Sequence, residues 1–390
     1  MSVVPPEHWD RSRFGRFARI GNGADYGSVE VAEGGYPVYG SGGEFRRAST
    51  HLFDGESVLF GRKGTIDRPL YVTGKFWTVD TMFYSIIDRT KLVPRFAYFW
   101  ATTLPFGAWA TDTALPSMSA SAIKAAPIAV PPLAEQRAIA DYLDRETAQI
   151  DAFIAKNEEL IALLTERRDS VWSDLYGEAV AAGQMLPLRR VVASIADGPF
   201  GSSLTSAHYA DAGTRVIRLG NIGIDEFKPV DEAYISDEYA ASLAAHTAFA
   251  GDVIVAGLGD DRMPLGRACV LPEIGPAIVK ADCYRVRPMA GISSEFLAWV
   301  LSAPPTRGLM RLAARGSTRE RLNTSVVLDV AVPVTSPEIQ ARLVEQFASS
   351  AARIDAARRV AEQGVELARE RRAALISATV TGKIDVGVAA

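Results

Sequence analysis

One long segment occurs twice in this chain, and that constrains its architecture more than any other feature. The first copy, "PPLAEQRAIADYLDRETAQIDAFIAKNEELIALLTERRDSVW", begins at Pro131. The second, "TSPEIQARLVEQFASSAARIDAARRVAEQGVELARERRAALI", begins at Thr335. Ile150–Asp151–Ala152 returns as Ile354–Asp355–Ala356, and Glu166–Arg167–Arg168 as Glu370–Arg371–Arg372, each displaced by 204 positions. Between 134–178 and 338–382 there are 11 identities in 45 positions. Apolar or small residues recur in steps of three and four at Leu143, Thr147, Ile150, Ile154, Asn157, Ile161, Leu164, Arg168, Val171 and Leu175. This is a heptad stripe sustained for more than four heptads, the signature of a helix that lies along another helix. The second copy has a weaker stripe through Phe347, Ile354, Val365, Arg372 and Leu375. Neither segment has an internal proline, while Pro131–Pro132, Pro333 and Pro337 stand before the starts, where they suit a helix entry.

A helix of about 40 residues is roughly 60 Å long, too long for one small domain to cover. Its stripe needs a partner, and the other copy is the simplest one. The expected seam is Leu143, Ile150, Ile154, Asn157, Ile161, Leu164 and Arg168 against Ile354, Val365, Arg372 and Leu375, with the helices antiparallel. Arg168 and Arg372 either snorkel at the edge of this seam or pair with an acid on the facing helix.

The segments upstream of the helices also repeat. "FDGESVLFGRKGTIDRP" at 53–69 parallels "FAGDVIVAGLGDDRMP" at 249–264, with Phe53/Phe249, Gly55/Gly251, Glu56/Asp252 and Val58/Ile254 at a common offset of 196. Each reads as a turn, a buried strand and a Gly-rich loop. "FWTVDTMFYSI" and "AIVKADCYRVR" follow as strands, with Asp80 opposite Asp282 in the alignment. A short helix comes next in each copy, then a polar loop and an apolar strand, "PIAVPP" or "DVAVPV". The expected fold is α+β. Two mixed domains, 1–131 and 181–334, are separated by two long antiparallel coiled-coil helices, 132–180 and 335–390, in an internal pseudo-two-fold repeat.

Several chemistries are excluded. The two cysteines, Cys269 and Cys283, form no CxxC, and the four histidines are scattered, so neither a zinc site nor a catalytic triad is legible. The thiol count and the lack of a signal-peptide core or spanning apolar run point to the cytoplasm. "GNGADYG" and "GLGDD" lack the Lys-Ser/Thr of a P-loop. "DGPF" at Asp197–Phe200 resembles the Asp/Asn-Pro-Pro-Phe/Tyr loop of DNA adenine methyltransferases. Glycine replaces the first proline, however, and no Gly-rich element for S-adenosylmethionine precedes it. The plain reading of Gly198 and Gly201 is turn geometry.

The net charge is −4, unevenly distributed. Residues 131–180 hold 5 Lys+Arg against 11 Asp+Glu, whereas residues 1–130 hold 14 against 12 and residues 181–335 hold 15 against 16. The acidity therefore sits on the first long helix, and a basic face on either globular part is permitted. Arg307, Arg311, Arg315 and Arg319 stand four apart and would share one helical face, with Gly316 ending the helix. The first globular part offers Arg62 and Lys63 in its Gly-rich loop, Arg46–Arg47, and the run Arg11, Arg13, Arg16, Arg19. Arginine suits both phosphate contact and bidentate reading of guanine.

The doubled order of domain and helix, together with "PPLAEQRAIADYLDRETAQIDA", "VLFGRKGTI", "ADGPFGSSLTSAHYADAGTRVIRLGNI", "GSTRERLN" and the terminal "LISATVTGKIDV", resembles the specificity subunits of Type I restriction–modification systems. The resemblance covers essentially the whole chain. It implies a non-catalytic, sequence-specific DNA-binding subunit whose two globular parts are target recognition domains for a bipartite duplex site. The helices would be the spacer on which two methyltransferase subunits dock, with restriction subunits as further partners. It implies no cofactor in this chain and S-adenosylmethionine in the partner methyltransferase. The candidate DNA contacts are then Arg46, Arg47, Arg62, Lys63, Ser117, Arg262, Arg311, Arg315, Ser317, Thr318, Arg319 and Arg321. The alternatives are a protein-interaction scaffold and a DNA adenine methyltransferase.

Overall fold

The structure, a computed structural model, describes residues 5–109, 116–260, 263–314 and 320–387. Contacts divide the chain into two units, residues 1–159 with 361–390 and residues 160–360. The long helices are Leu133–Ala182 and Pro337–Val380, so each unit owns part of both.

In the first unit Asp10–Arg13 pairs antiparallel with Pro127–Val130, closing the globular part just before the long helix. A four-stranded sheet runs in the order Ala18–Asn22, Met82–Ile87, Ser57–Gly61, Leu70–Val72. A five-stranded sheet runs Glu30–Val31, Gly43–Ala48, Tyr36–Gly40, Lys75–Thr78, Phe53–Asp54, with one parallel pairing between Tyr36–Gly40 and Lys75–Thr78. Strand Ser57–Gly61 is buried along its whole length, which is why its sequence is an apolar run rather than an alternation. The core joins Phe14, Phe60, Phe83, Phe96 and Trp100 to Leu143, Ile376 and Val380 of the long helices. The helices run antiparallel here: Asp151 pairs with Arg372 and Glu158 with Arg369.

The second unit repeats this topology strand for strand. Gln184–Pro187 pairs with Ala331–Val334. The four-stranded order is Val192–Ala196, Cys283–Pro288, Val253–Ala256, Ala268–Val270. The five-stranded order is Tyr209–Ala210, Tyr234–Ile235, Thr214–Ile217, Ala277–Val279, Thr247–Ala248, again with one parallel pairing, Thr214–Ile217 with Ala277–Val279. Trp172, fully buried, lies with its ring centroid 4.3 Å from that of Phe347 and 6.4 Å from that of Trp299, so both helices are built into this core too. The antiparallel pairing continues through Arg168–Asp355 and Glu178–Arg342.

The seam residues sit where the stripe puts them. Leu143, Ile150 and Val365 are buried, and Ile154, Asn157, Ile161, Leu164, Arg168, Ile354, Arg372 and Leu375 are partly covered. Asn157 does not bond across the seam; its amide donates to Phe153 O of its own helix at 2.9 Å. The arginines of the stripe pair with acids on the facing helix.

Two alignments need correction by one residue. Met82 N–H donates to Val79 O as Cys283 N–H donates to Lys280 O, and Arg62 N–H donates to Thr81 O as Gly257 N–H does to Asp282 O. The structural counterpart of Asp282 is therefore Thr81, not Asp80. Likewise Val58 belongs to the main core of its unit, whereas Ile254 faces a smaller cluster on the other side of its strand; the counterpart of Val58 is Val253. Gly55 and Gly251 keep the offset of 196, both with positive φ (143° and 84°), so one residue is lost between the turn and the strand. A one-residue slip in a strand exchanges its faces.

Candidate nucleic-acid interface

In each unit the chain leaves the buried strand of the four-stranded sheet, enters the Gly-rich loop, and meets a later segment in a two-residue antiparallel bridge. In the first unit the bridge is Lys63 with Ser117. Met118 N–H donates to Arg62 O at 2.9 Å and Gly64 N–H to Pro116 O at 3.0 Å. In the second unit it is Leu258 with Arg321, and Leu322 N–H donates to Gly257 O at 2.9 Å. Ser119 and Asn323 then cap the next short helices, accepting from Ala122 N at 3.2 Å and Val326 N at 2.8 Å. Lys63 thus corresponds to Leu258 and Ser117 to Arg321.

The first bridge brings together three of the candidate contacts, Arg62, Lys63 and Ser117. They line an open groove of about 490 Å³ with Asn22, Phe83, Trp109 and Ser119. The Arg62 guanidinium lies 5.7 Å from the Phe83 ring, and Lys63 is exposed. This sets a cation over a buried aromatic ring in an open groove lined by polar side chains. Arg46 and Arg47 sit elsewhere, on strand Gly43–Ala48. Arg46 pairs with Glu30 at 3.1 Å, and Arg47 binds Glu44 and the carbonyls of Gly34 and Gly35. Among the described residues no contact joins them to the bridge.

At the second bridge Arg321 Nε donates to Asp282 Oδ1 at 2.7 Å, and its guanidinium lies 5.6 Å from the Phe200 ring. Arg311 lies on helix Pro304–Ala313 and pairs with Glu320 at 2.9 Å. That helix ends at Ala313 and carries Arg307 and Arg311 of the four arginines expected on one face. Arg307 turns inward, donating to Ser302 O at 2.7 Å, and burial lowers its pKa. Arg262, Arg315, Ser317, Thr318 and Arg319 lie outside the described residues.

Two residues absent from the sequence reading, Arg267 and Asn221, build the second loop together with Asp197 of "DGPF". Arg267 is buried, and its guanidinium donates to the carbonyls of Leu219, Ile222, Leu258, Met263 and Pro264. It fastens the Gly-rich loop to "LGNI" with no carboxylate within ion-pair distance among the described residues. Asn221, also buried, accepts from Arg218 N and donates to Lys228 O and Val230 O. Asp197 accepts from Gly198 N at 2.6 Å and Asp282 N at 3.0 Å, and burial pushes its pKa up to about 6. The "DGPF" loop is thus structural: a Cβ on Gly198 would lie 2.0 Å from the carbonyl carbon of Lys280, and Gly201 has φ 61°.

Each copy of the repeat thus sets two mixed sheets against the long helices and places a cation at the same bridge. Residues 6–162 match the family described as Type I restriction modification DNA specificity domain. The Type I restriction enzyme MjaVIII specificity subunit of Methanocaldococcus jannaschii is 20% identical, covering 98% of this chain and 94% of that one. A solved chain described under complex assembly and conformational transition of the type I R-M system superposes with a TM-score of 0.65 at 13% identity, covering 98% of this chain and 100% of the other. The S subunit of the M. genitalium Type I restriction–modification system aligns with a TM-score of 0.45 at 15% identity, over 97% of this chain and 98% of that one. The chain is thus similar to Type I restriction–modification specificity subunits, through a matching specificity domain in its first part and a like fold over nearly its whole length. No helix among the described residues is long and apolar enough to cross a membrane.

Proposed function

We propose that this chain reads a bipartite duplex DNA site, one half through each globular part, 1–131 and 181–334, and delivers methyltransferase subunits to it in the cytoplasm. The observation that supports this best is the duplicated bridge: one position in the fold, used twice, with different side chains. Arg62, Lys63 and Ser117 serve the first half-site; Arg321 serves the second, with Arg262, Arg311, Arg315, Ser317, Thr318 and Arg319 as further contacts. Arg46 and Arg47 contact phosphate at the flank of the first. Base contacts discriminate sequences, whereas phosphate contacts strengthen all sequences alike. The paired helices, acidic along the first, are the docking surface for two methyltransferase subunits, which hold S-adenosylmethionine, and restriction subunits join that complex.

The test is a chimera in which residues 184–334 are replaced by the equivalent part of a relative. This keeps strands Gln184–Pro187 and Ala331–Val334 together. Expressed with its methyltransferase, the chimera should methylate a motif whose first half is unchanged and whose second half is exchanged, as read by methylome sequencing. Exchange of both halves, with the complex assembled, would defeat the proposal.

A further inference from the structure

The two bridges present their cations from opposite sides. In the first unit Arg62 and Lys63 come from the Gly-rich loop and face Ser117. In the second the loop offers Gly257 and Leu258, and the cation is Arg321 from the returning segment. Arg321 is also held in a way that Arg62 and Lys63 are not.

Its Nε is taken by Asp282, leaving both Nη groups without a hydrogen bond among the described residues. Asp282 is itself fixed from three directions. Its backbone is in the left-handed region at φ 65°, its N–H donates to the half-buried Asp197 carboxylate, and its carbonyl accepts from Gly257 N at 2.8 Å. The residue in its place in the first unit is Thr81, which cannot form an ion pair. Against the guanidinium lies the ring of Phe200, 54% exposed, a flat apolar backing for its outer face. Half of the Arg321 side chain remains open. A guanidinium anchored through Nε, backed by a ring, with two parallel Nη donors outward, is the geometry that meets guanine O6 and N7 in the major groove.

We infer that Arg321, positioned by Asp282 and Phe200, reads a guanine in the second half-site, and that this contact has no counterpart in the first. The inference rests on the half-site reading above and adds the base and the residue. The ion pair with Asp282 limits the guanidinium to one orientation, so the contact supplies selectivity rather than general attraction.

The test uses the chain assembled with its methyltransferase and the duplex identified from its methylome. Each guanine of the second half-site is replaced in turn by 7-deazaguanine, which lacks the N7 acceptor. At one position the wild-type complex should lose roughly 5- to 150-fold in affinity, and Arg321→Ala should show no further loss there. Arg321→Lys should keep affinity for non-specific duplex but lose the discrimination. Asp282→Asn should lose discrimination at the same position while binding to non-specific duplex and methyltransferase assembly are unchanged. A second half-site without guanine overturns the inference, as does an Arg321→Ala complex that keeps wild-type discrimination or that loses affinity equally for every sequence. These outcomes are separable from failure of the half-site reading: the chimera can exchange the second half-site while Arg321 proves to be a phosphate contact.

Discussion

Arg168 is paired with Asp355 at 3.5 Å, and its guanidinium lies 5.1 Å from the Trp172 ring and 5.2 Å from that of Phe347. Displaced by 204 positions, the same two motifs form the other pair: Arg372 donates to both oxygens of Asp151, at 2.7 and 3.2 Å. The aspartate of each Ile-Asp-Ala therefore holds the second arginine of the other copy's Glu-Arg-Arg. Only an antiparallel pairing permits this. Parallel helices in register would set Asp151 against Asp355 and Arg168 against Arg372, like charge against like. The duplicated motifs thus specify direction as well as pairing.

The two pairs should differ in energy. Arg168 is mostly covered and stacks on two aromatic rings, whereas the Arg372–Asp151 pair is more exposed to water. Arg168→Ala should cost about 2–3 kcal/mol and Arg372→Ala less than about 1 kcal/mol, in urea unfolding of the full chain. Equal losses would show that the rings add nothing.

Asp225 predicts a pH dependence. Burial raises its pKa from 3.8 to about 7, against the smaller opposing pull of Arg168. Below pH 3.8 folded and unfolded chains both hold the proton. Between about 4 and 7 the unfolded chain releases it while the folded chain keeps it, so stability falls as pH rises, by about 4 kcal/mol in all. Above pH 7 the loss is complete. Asp197, raised to about 6, adds in the same sense. Asp225→Asn, which imitates the protonated acid and tolerates the positive φ of 59°, should match the wild type near pH 4 and exceed its stability at pH 8. Denaturant titrations across that range check it; parallel curves for the two proteins would refute the assignment.

A third prediction concerns two buried glutamines. Gln136 Oε1 accepts from Val93 N, and its amide donates to Lys91 O and Pro131 O. Gln340 Oε1 accepts from Ser293 N, and its amide donates to Gly291 O and Thr335 O. Each fastens the start of a long helix to the loop before a short one. Alanine at either position strands three backbone groups and should cost about 2–4 kcal/mol, nearly equal at the two sites. Gln363→Ala, on an exposed helix surface, is the control and should change stability by less than about 0.5 kcal/mol. Thermal unfolding of the three variants reads this directly.

The long helices, their direction and the two-fold repeat were legible because each is a periodic signal sustained over tens of residues. Strand equivalence was legible only to within one residue: with a period of two, Val58 against Ile254 looks as good as Val58 against Val253 until the faces are seen. The correspondence of Ser117 with Arg321 was within reach, since carrying the helix offset of 204 upstream aligns "PSMSASA" with "ERLNTSV". Asp282 and Arg267 were not, because each is defined by contacts across tens of residues. A lone arginine in "PLGRACV" has no local feature to mark it. Arg46 and Arg47 show the reverse: a basic doublet is conspicuous in sequence, yet both side chains are engaged within their own sheet.

The cage around Arg267 has an electrical consequence. Its hydrogen-bond partners are five neutral carbonyls, so the cation is solvated by dipoles, and Asp260 acts on it only through space. Deep placement also keeps mobile salt from gathering around it. The carbonyls of Leu258, Met263 and Pro264 are polarised from beneath by that charge, and an anionic polymer approaching them would be drawn by a cation it never touches.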